Sequence, residues 1–461
     1  MMERHPRKPA SWAIACLEDI CVIKDGMRVP VNQDDRMARI EGKSPSELYP
    51  YYGATGAVGW IDDYIFEGEH VLVGEDGAPF FDPIRTKAYV VTGRYWVNNH
   101  AHVLEALIDS RFLSHFLNQF DYHGFVTGTT RLKLNQAAMR SIPVLVPPLV
   151  EQRAIAAKID ALFSELDKGI EQLQTIKQQL KQYRQTVLKA AFEGKLTAAW
   201  RAEQQATGNL PTDGELLERI RRERGLRDLP RFRPAQDSIP QEWVWVHLGA
   251  LGDLARGKSR HRPRNAPHLY GGPYPFIQTG DVKAANRIIR SFTQTYSEEG
   301  LEQSRMWPAG TLCITIAANI AETAFLGFDG CFPDSIVGFT ACEPLIHPEY
   351  VHFFFESAKY RIAAHAPSTA QKNINLSTLE NLVIPYCSRA EQTLLVEAVE
   401  SRFSVLDELE RAVSETTQQA DALRMSILNK AFEGRLLSES ELAAVRNDPE
   451  YEPADKLLER I

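Results

Sequence analysis

Two long segments of the chain carry apolar residues at a repeat of seven, with charged residues and glutamines between them. The first segment has the a positions Ile159, Leu166, Leu173, Leu180 and Val187, and the d positions Leu162, Ile176 and Tyr183. The second has the a positions Val399, Leu406, Val413, Ala420 and Ile427, and the d positions Leu409 and Leu423. This heptad pattern predicts two long helices that bury their stripes against each other. About 40 residues at 1.5 Å each give a rod of roughly 60 Å.

A glycine and several polar residues interrupt the d positions, and they limit how closely the two helices can pack. Gly169 takes one d position of the first helix, and Arg402, Thr416 and Lys430 fall in the stripe of the second. We therefore do not expect continuous coiled-coil packing. The alternative is that each helix packs only on its own globular domain.

The two helical segments belong to an internal repeat. "LKAAFEGKL" at Leu188–Leu196 returns as "LNKAFEGRL" at Leu428–Leu436, at an offset of 240 residues. "PASWAIACLEDI" from Pro9 resembles "PQEWVWVHLGAL" from Pro240, and "LLERI" at 216–220 closes the chain at 457–461. The chain is therefore a tandem duplication with two diverged middle segments.

The diverged segments alternate short runs of Val, Ile, Phe and Tyr with glycine turns, as in "YYGATGAVGWIDDYIFEGEHVLVGEDG" at 51–77, which indicates β structure. Short helical patterns, such as "AHVLEALIDSRFLSHFLNQF" from Ala101, lie between these runs and the long helices. We predict an α+β fold of two mixed α/β domains joined by two long antiparallel helices with pseudo-two-fold repetition. The predicted division is 1–148 and 241–388 for the domains, 149–196 and 389–436 for the helices, 197–240 for a linker with a short helix, and 437–461 for a tail helix.

Composition narrows the function class. The chain is 44% hydrophobic and 24% charged, with a formal net charge of -8, and its charged, proline-broken start predicts a cytoplasmic protein. Its six cysteines form no metal-ligand spacing, and we assign the histidines at 100, 102, 115 and 123 to packing or to the surface. The linker arginines at 219, 221, 222, 224, 227, 231 and 233 indicate either a solvated basic face or a contact with DNA or a partner protein.

One stretch suggests nucleotide chemistry. "GDLARGKS", Gly252–Ser259, fits the phosphate-binding pattern G-x-x-x-x-G-K-[ST]. That pattern works when a helix begins at the Lys-Ser pair, but "RHRPRNAPHLYGGPYP" follows, and its prolines and glycines exclude a useful helix. We find no other credible catalytic constellation, so we expect a non-enzymatic binding or scaffolding protein without a metal or cofactor of its own.

The whole pattern resembles the specificity subunit of type I restriction-modification enzymes. The likeness rests on "PVLVPPLVEQRAIAAKIDAL" with its partner "IPYCSRAEQTLLVEAVE", the twin "AFEG[KR]L" ends, "GTTRLKLN" and "STAQKNINLSTLENLVIP". The second copy departs from it with "YCSRAEQ" where the first has "VPPLVEQ". The resemblance implies two target-recognition domains, each reading half of a split, asymmetric site in double-stranded DNA. It also implies two methyltransferase subunits, which use S-adenosylmethionine, and ATP- and Mg-dependent restriction subunits as partners.

Base contacts need polar or basic side chains on projecting loops. The predicted contacts of the first domain are Tyr51, Tyr52, Thr55, Thr129, Thr130, Arg131 and Lys133. Those of the second are Lys258, Arg260, Arg262, Arg264, Gln278, Thr279, Gln371, Lys372 and Asn373. The rival hypotheses are a helical scaffold whose β domains bind protein or carbohydrate and, more distantly, a nucleotide hydrolase.

Overall fold

The computed structural model describes residues 9–229, 239–261, 263–317, 319–364 and 374–461. These residues form two compact units: the chain up to Thr175 together with Ala412–Ile461, and Ile176–Arg411. Each unit therefore contains one diverged segment and part of each long helix. The predicted division of the chain into six consecutive segments stays a prediction.

The first unit is built on two four-stranded sheets. Its strands are β1 Ala13–Cys16, β2 Cys21–Ile23, β3 Tyr49–Gly53, β4 Gly56–Ile61, β5 Phe66–Glu67, β6 His70–Gly74, β7 Ala88–Val91, β8 Arg94–Val97, β9 Ala101–Ala106, β10 Val126–Thr127, β11 Lys133–Leu134 and β12 Pro143–Val146. Its helices before the first long one are α1 Gln33–Ile40, α2 Ser110–Gln119 and α3 Gln136–Arg140. The sheet orders are β2-β9-β6-β7 and β4-β3-β8-β5, and β1 pairs with β12.

The second unit is built on one five-stranded sheet and a two-stranded sheet. The first long helix is α4 Leu149–Phe192, followed by α5 Ala198–Ala206 and α6 Asp213–Arg224. The strands are β13 Val244–His247, β14 Gly252–Arg256, β15 Tyr270–Phe276, β16 Ile288–Ile289, β17 Gln294–Tyr296, β18 Leu312–Thr315, β19 Thr323–Leu326, β20 Ile336–Ala341 and β21 Val383–Tyr386. The helices beside them are α7 Thr279–Ala284, α8 Glu298–Glu302, α9 Pro348–Ala364 and α10 Leu376–Glu380. The main sheet has the order β14-β20-β18-β19-β16, β15 and β17 form the two-stranded sheet, and β13 pairs with β21 as β1 does with β12.

The second long helix is α11 Arg389–Phe432, and α12 Glu439–Arg446 and α13 Ala454–Arg460 follow it in the first unit. The predicted α+β fold with two long helices and a repeated domain is confirmed. Two local predictions were wrong. The pattern from Ala101 is helical only from Ser110, because Ala101–Ala106 forms a central strand, and the predicted linker contains two short helices rather than one.

The repeated sequence motifs make repeated contacts. Trp12 Nε1 donates to Glu151 at 2.8 Å in the first unit, and Trp243 Nε1 donates to Glu391 at 2.9 Å in the second. Each long helix ends at a glycine with φ +71°, Gly194 or Gly434, where a Cβ would collide with a proline of the same unit. The repeat therefore duplicates these contacts. The tryptophan and the glutamate meet at the start of each long helix, and the glycine and the proline meet at its end.

Within each unit the two long helices also meet through equivalent residues. Arg184 of α4 pairs with Asp407 of α11 in the second unit and lies 4.5 Å from the ring centre of Phe403. In the first unit, Arg424 pairs with Asp167 and lies 4.5 Å from the ring centre of Phe163. Residue numbers rise on one helix as they fall on the other, so the helices run antiparallel.

The heptad stripe is buried only in part. Among the a positions, Ile159, Val187 and Val399 are buried. By contrast, the d positions Tyr183 and Leu409 are 52% and 47% exposed. The two helices therefore do not pack as a continuous coiled coil, as expected from the glycine and the polar residues that interrupt the d positions. The exposed apolar side chains leave a groove of about 560 Å³ on the second unit.

Candidate nucleic-acid interface

In the first unit, a short hairpin loop presents four of the predicted DNA contacts. Strands β10 and β11 pair in antiparallel fashion and enclose residues 128–132. Thr129, Thr130, Arg131 and Lys133 are all exposed there. Gly128 has φ +94°, and a Cβ at this position would lie 2.4 Å from the Arg131 carbonyl oxygen. The tight loop therefore requires glycine at its start.

An acidic segment directly after β6 holds this loop. Arg131 Nε lies 2.7 Å from Asp76 Oδ1, and Lys133 Nζ lies 3.4 Å from Glu75 Oε1. The backbone is tied as well, because the Gly77 amide donates to Leu132 O and the Leu134 amide donates to Glu75 O. Two of the predicted DNA-binding cations are thus paired with carboxylates in the free protein.

A buried polar network supports the acidic segment from below. Arg28 Nη1 lies 2.7 Å from Glu75 Oε2, and His102 Nδ1 lies 2.6 Å from Asp25 Oδ2. His102 Nε2 lies 2.9 Å from the carbonyl oxygen of Leu134, at the base of the loop. Burial alone would raise the pKa of Asp25, but the hydrogen bond and charge of His102 hold it below its usual value. Asp25, Glu75 and His102 lie close enough together to hold a metal ion. The guanidinium of Arg28 already provides a positive charge beside both carboxylates.

The β3–β4 hairpin places a second group of predicted contacts beside the same segment. Thr55 is exposed in its turn, and a Cβ at Gly74 would lie 2.9 Å from Ala54 O, so this turn closely approaches the end of β6. Tyr52 is half-buried against Tyr95. Tyr51 is buried and its hydroxyl donates to Val31 O, so the proposed base contact by Tyr51 is corrected to a packing role.

In the second unit, predicted contacts surround the segment at 330–334. The Lys258 amide donates to Phe332 O and leaves the Lys258 side chain exposed. Arg264 Nη2 contacts both oxygens of Asp334 at 2.8 and 2.9 Å. On the other side of this segment, the Ile277 amide donates to Cys331 O, which places Gln278 nearby.

The remaining predicted contacts are less clearly grouped. Arg260 is exposed, and its amide donates to Gln303 Oε1 at 2.6 Å. Gln278 Nε2 donates to Gln294 Oε1, and Thr279 is half-buried at the start of α7. Arg262, Gln371, Lys372 and Asn373 lie outside the described residues.

The nucleotide-binding hypothesis for Gly252–Ser259 finds no support in the geometry. Gly252–Arg256 is strand β14, and a Cβ at Gly257 would lie 2.2 Å from Phe332 O. The amides of Lys258, Arg260 and His261 already donate to protein oxygens, so they do not converge on a phosphate. The motif therefore marks a close strand contact.

Most of the described linker arginines are held by neighbours. Arg221 pairs with Glu218, Arg222 with Glu223, and Arg224 with Asp253 at 2.6 Å, while Arg219 donates to Pro344 O. Arg227 is exposed, and Arg231 and Arg233 lie outside the described residues. These contacts leave both interpretations of the linker arginines open, because the predicted DNA contacts Arg131 and Lys133 are also paired with carboxylates.

The structure adds acidic residues that sequence reasoning missed. Asp76 and Asp334 pair with the predicted contacts Arg131 and Arg264, and Glu75 pairs with Lys133. Carboxylates lie outside the set of residues from which the base contacts were predicted. The signal for the first pair was present in "GEDG" at 74–77, an acidic turn directly after an apolar strand.

Among the helices in the described part of the chain, none combines the length and apolar composition needed to span a bilayer.

Comparisons with known proteins agree on one family. The profile of the "Type I restriction modification DNA specificity domain" matches twice, at residues 9–182 and 240–418. The chain is 26% identical over 404 residues to the type I restriction enzyme EcoDI specificity subunit of Escherichia coli, covering 85% of this chain and 83% of that protein. It is 24% identical over 425 residues to a putative type I specificity subunit of Haemophilus influenzae, covering 90% and 94%.

Solved structures share the fold. A chain from a study of complex assembly and conformational transition of the type I R-M system has a TM-score of 0.66 at 17% identity, covering 93% of this chain and all of that one. The HsdS subunit of Thermoanaerobacter tengcongensis has a TM-score of 0.51 at 18% identity, covering 95% of this chain and all of that one. The two profile matches include most of the chain and coincide with its two internal repeats. The chain therefore belongs to the type I restriction-modification DNA specificity family and contains two copies of its domain.

Proposed function

We propose that this protein is the DNA-recognition subunit of a type I restriction-modification complex, in which each of the two domains reads one half of a split site. The observation that carries the proposal is the double match to the DNA specificity domain, at residues 9–182 and 240–418. Two different clusters of exposed polar loops support it, around 74–77 in the first unit and 330–334 in the second.

The proposed site is asymmetric because the two domains differ. A dimer of identical readers requires a palindrome, whereas two unlike domains on one chain favour two unrelated half-sites. The long helices would set the gap between the half-sites, whose centres we expect about one DNA turn, roughly 34 Å, apart. A change in helix length should then change the gap and leave the bases unchanged.

The exposed groove on the long helices supports a docking role for a partner subunit. It is lined by Ile176, Tyr183, Val405 and Leu409, which are 41–58% exposed, and its floor includes the buried Leu180 and Leu406. Such an apolar surface on a helix pair is typical of a site for another helix. We assign it to a methyltransferase subunit, because recognition without a methyl-transferring partner would modify no DNA.

In this proposal the chain recognises and does not catalyse. S-adenosylmethionine, ATP and Mg²⁺ would be bound by the methyltransferase and restriction subunits. The occupied amides at Lys258, Arg260 and His261 support the absence of a nucleotide site in that segment.

Methylation mapping of the host genome tests the proposal. We expect a bipartite motif containing methyladenine in each half, and we expect it to disappear when the gene is deleted and to return on complementation. An identical methylome with and without the protein would refute the proposal. A helical scaffold that binds protein or carbohydrate predicts that unchanged methylome.

A further inference from the structure

Arg131 differs from the other arginine in its cluster in being largely exposed. Arg28 is 14% exposed and fully engaged, because its Nη1 lies 2.7 Å from both Glu75 Oε2 and Ala101 O and its Nε donates to Asp25 O. Arg131 is 60% exposed, and its shortest contact with Asp76 joins Nε and Oδ1 at 2.7 Å. One terminal nitrogen, Nη2, makes a long 3.5 Å contact with His100 Nδ1.

The position of this guanidinium is set by its surroundings. The Arg131 side chain lies over Gly77, whose φ of +77° favours glycine, and a Cβ there would be in ordinary contact with Nε at 3.4 Å. Asp76 is 22% exposed, and its backbone amide donates weakly to His100 O at 3.4 Å. Glu75, the preceding residue, is fixed by Arg28 and by the Leu134 amide. The carboxylate that orients Arg131 thus belongs to a backbone segment anchored in the core.

This arrangement has a specific chemical consequence. The planar guanidinium of arginine presents two terminal nitrogens side by side, and this fork matches the O6 and N7 acceptors of guanine in the major groove. A preorganised fork loses less side-chain entropy on binding than a mobile one. A plain phosphate contact would need no such orientation, and the adjacent carboxylate would oppose it.

We propose that Arg131 reads a guanine in the half-site of the first domain and that Asp76 is the positioning residue that orients it. The inference rests on the proposed function and deepens it. It assigns a base to a particular loop and a role to an acidic residue within a DNA-binding surface. The second unit offers a parallel in Arg264 with Asp334, but there the carboxylate occupies Nη2 itself, so we assign the role to Arg131 alone.

The test measures methyl transfer by the complex reconstituted with its methyltransferase subunits. The substrates are duplexes that carry the genomic motif and that differ by one base pair at each guanine of the half-sites. The variants are Arg131→Lys, Arg131→Ala and Asp76→Asn. The matched controls are Arg94→Lys and Glu67→Gln, because Arg94 Nε also lies 2.9 Å from an exposed carboxylate, outside the loop cluster.

We expect the wild-type complex to prefer guanine at one position by roughly 5- to 100-fold, the range of a good bidentate contact. Arg131→Lys keeps the charge but lacks the fork, so the preference at that position should fall close to one while other positions keep theirs. Asp76→Asn should give an intermediate preference at the same position, and the controls should leave it unchanged.

Three results would overturn the inference. Arg131→Lys could retain every guanine preference, Arg131→Ala could slow all duplexes equally as a phosphate contact does, or the relaxed position could hold another base. In all three the wild-type complex still methylates a bipartite site, so the proposed function stands. If the wild-type complex methylates no specific site, the proposed function itself fails.

Discussion

Glu151 and Glu391 occupy equivalent positions in the repeat, yet we expect their replacement by glutamine to have different effects. Each is buried at the start of a long helix and accepts a hydrogen bond from a tryptophan indole. Glu391 also accepts from Thr197 and pairs with Arg201, whose side chain is only 11% exposed. For Glu151, burial raises the pKa, and Trp12 and Arg446 lower it only in part.

The expected cost follows from what each substitution leaves behind. Glu391→Gln removes the nearest charge partner of a buried guanidinium, and breaking such a pair costs about 3 to 5 kcal/mol. Arg201 keeps Glu242 at 3.7 Å, and Gly194 O and Thr197 Oγ1 as acceptors, which places the cost near the lower end, about 3 kcal/mol. Glu151→Gln removes a carboxylate whose surroundings already favour the neutral form, so we expect a loss below about 1 kcal/mol.

Hydrogen exchange in a urea titration measures both effects, because peptides from each unit report its local free energy of unfolding. Each substitution should affect the unit that contains it. Arg201→Met added to Glu391→Gln should restore part of the lost stability, since it removes a buried charge that has lost its nearest partner. Equal losses for the two glutamine variants, or a larger loss for Glu151→Gln, would contradict this expectation.

The sign of the pH dependence gives an independent check on Glu151. Its folded pKa lies above the usual 4.5, so ionisation opposes folding, and stability should fall as pH rises through the range from 4.5 to the raised value. Glu151→Gln should remove this fall. A first unit whose stability rises over that range, with no change on Glu151→Gln, would contradict the direction of the shift.

Three further predictions concern the groove, the buried network and the helices. Val405→Glu combined with Leu409→Glu should lower co-purification of the methyltransferase subunit at least tenfold. The control is Val22→Glu, at a similarly exposed residue of β2, and it should leave co-purification unchanged. Unchanged co-purification of the double variant would exclude the groove as the docking site. Asp25 has a folded pKa below 3.8, so its contribution to stability is present above pH 3.8 and is lost as pH falls through the lower value. Asp25→Asn should lower the free energy of unfolding by about 3 kcal/mol at pH 7. In an acid titration, the variant should lose less stability than the wild type over this pH range. Four extra residues in each long helix add about 6 Å to its length. Methylation mapping should then show a gap longer by about two base pairs, with both half-sites unchanged. Altered half-sites would count against a spacer role for the helices.

The repeat made the architecture predictable because its motifs mark contacts that depend on local sequence. Asn135 and Asn375, one repeat apart, cap α3 and α10 through the same side-chain bond to the amide three residues later. The exposure of the d positions was harder to predict. A heptad pattern does not distinguish residues that are buried between two helices from residues that stay exposed and can bind a third helix. Tyr183 and Leu409 fit the stripe by spacing, but they are exposed.

The candidate interface was predictable as a set of loops but not in its pairings. Arg131 and Lys133 could be found because basic residues follow a glycine turn before a helix. Their partners Asp76 and Glu75 lie more than 50 residues earlier, and sheet pairing that no local pattern reveals brings them together. Tyr51 was misassigned for a related reason, since an aromatic residue in a strand can face either the core or the solvent.

Exchange of one domain tests whether each domain reads its own half-site. Residues 241–388 would be replaced by the corresponding segment of a related specificity subunit that recognises a different sequence, and the methylome of the host would then be mapped. We expect one half of the bipartite motif to change to that of the donor while the other half and the gap stay the same. A change in both halves, or an unchanged motif from a chimera that still supports methylation, would contradict the claim that each domain reads its own half-site.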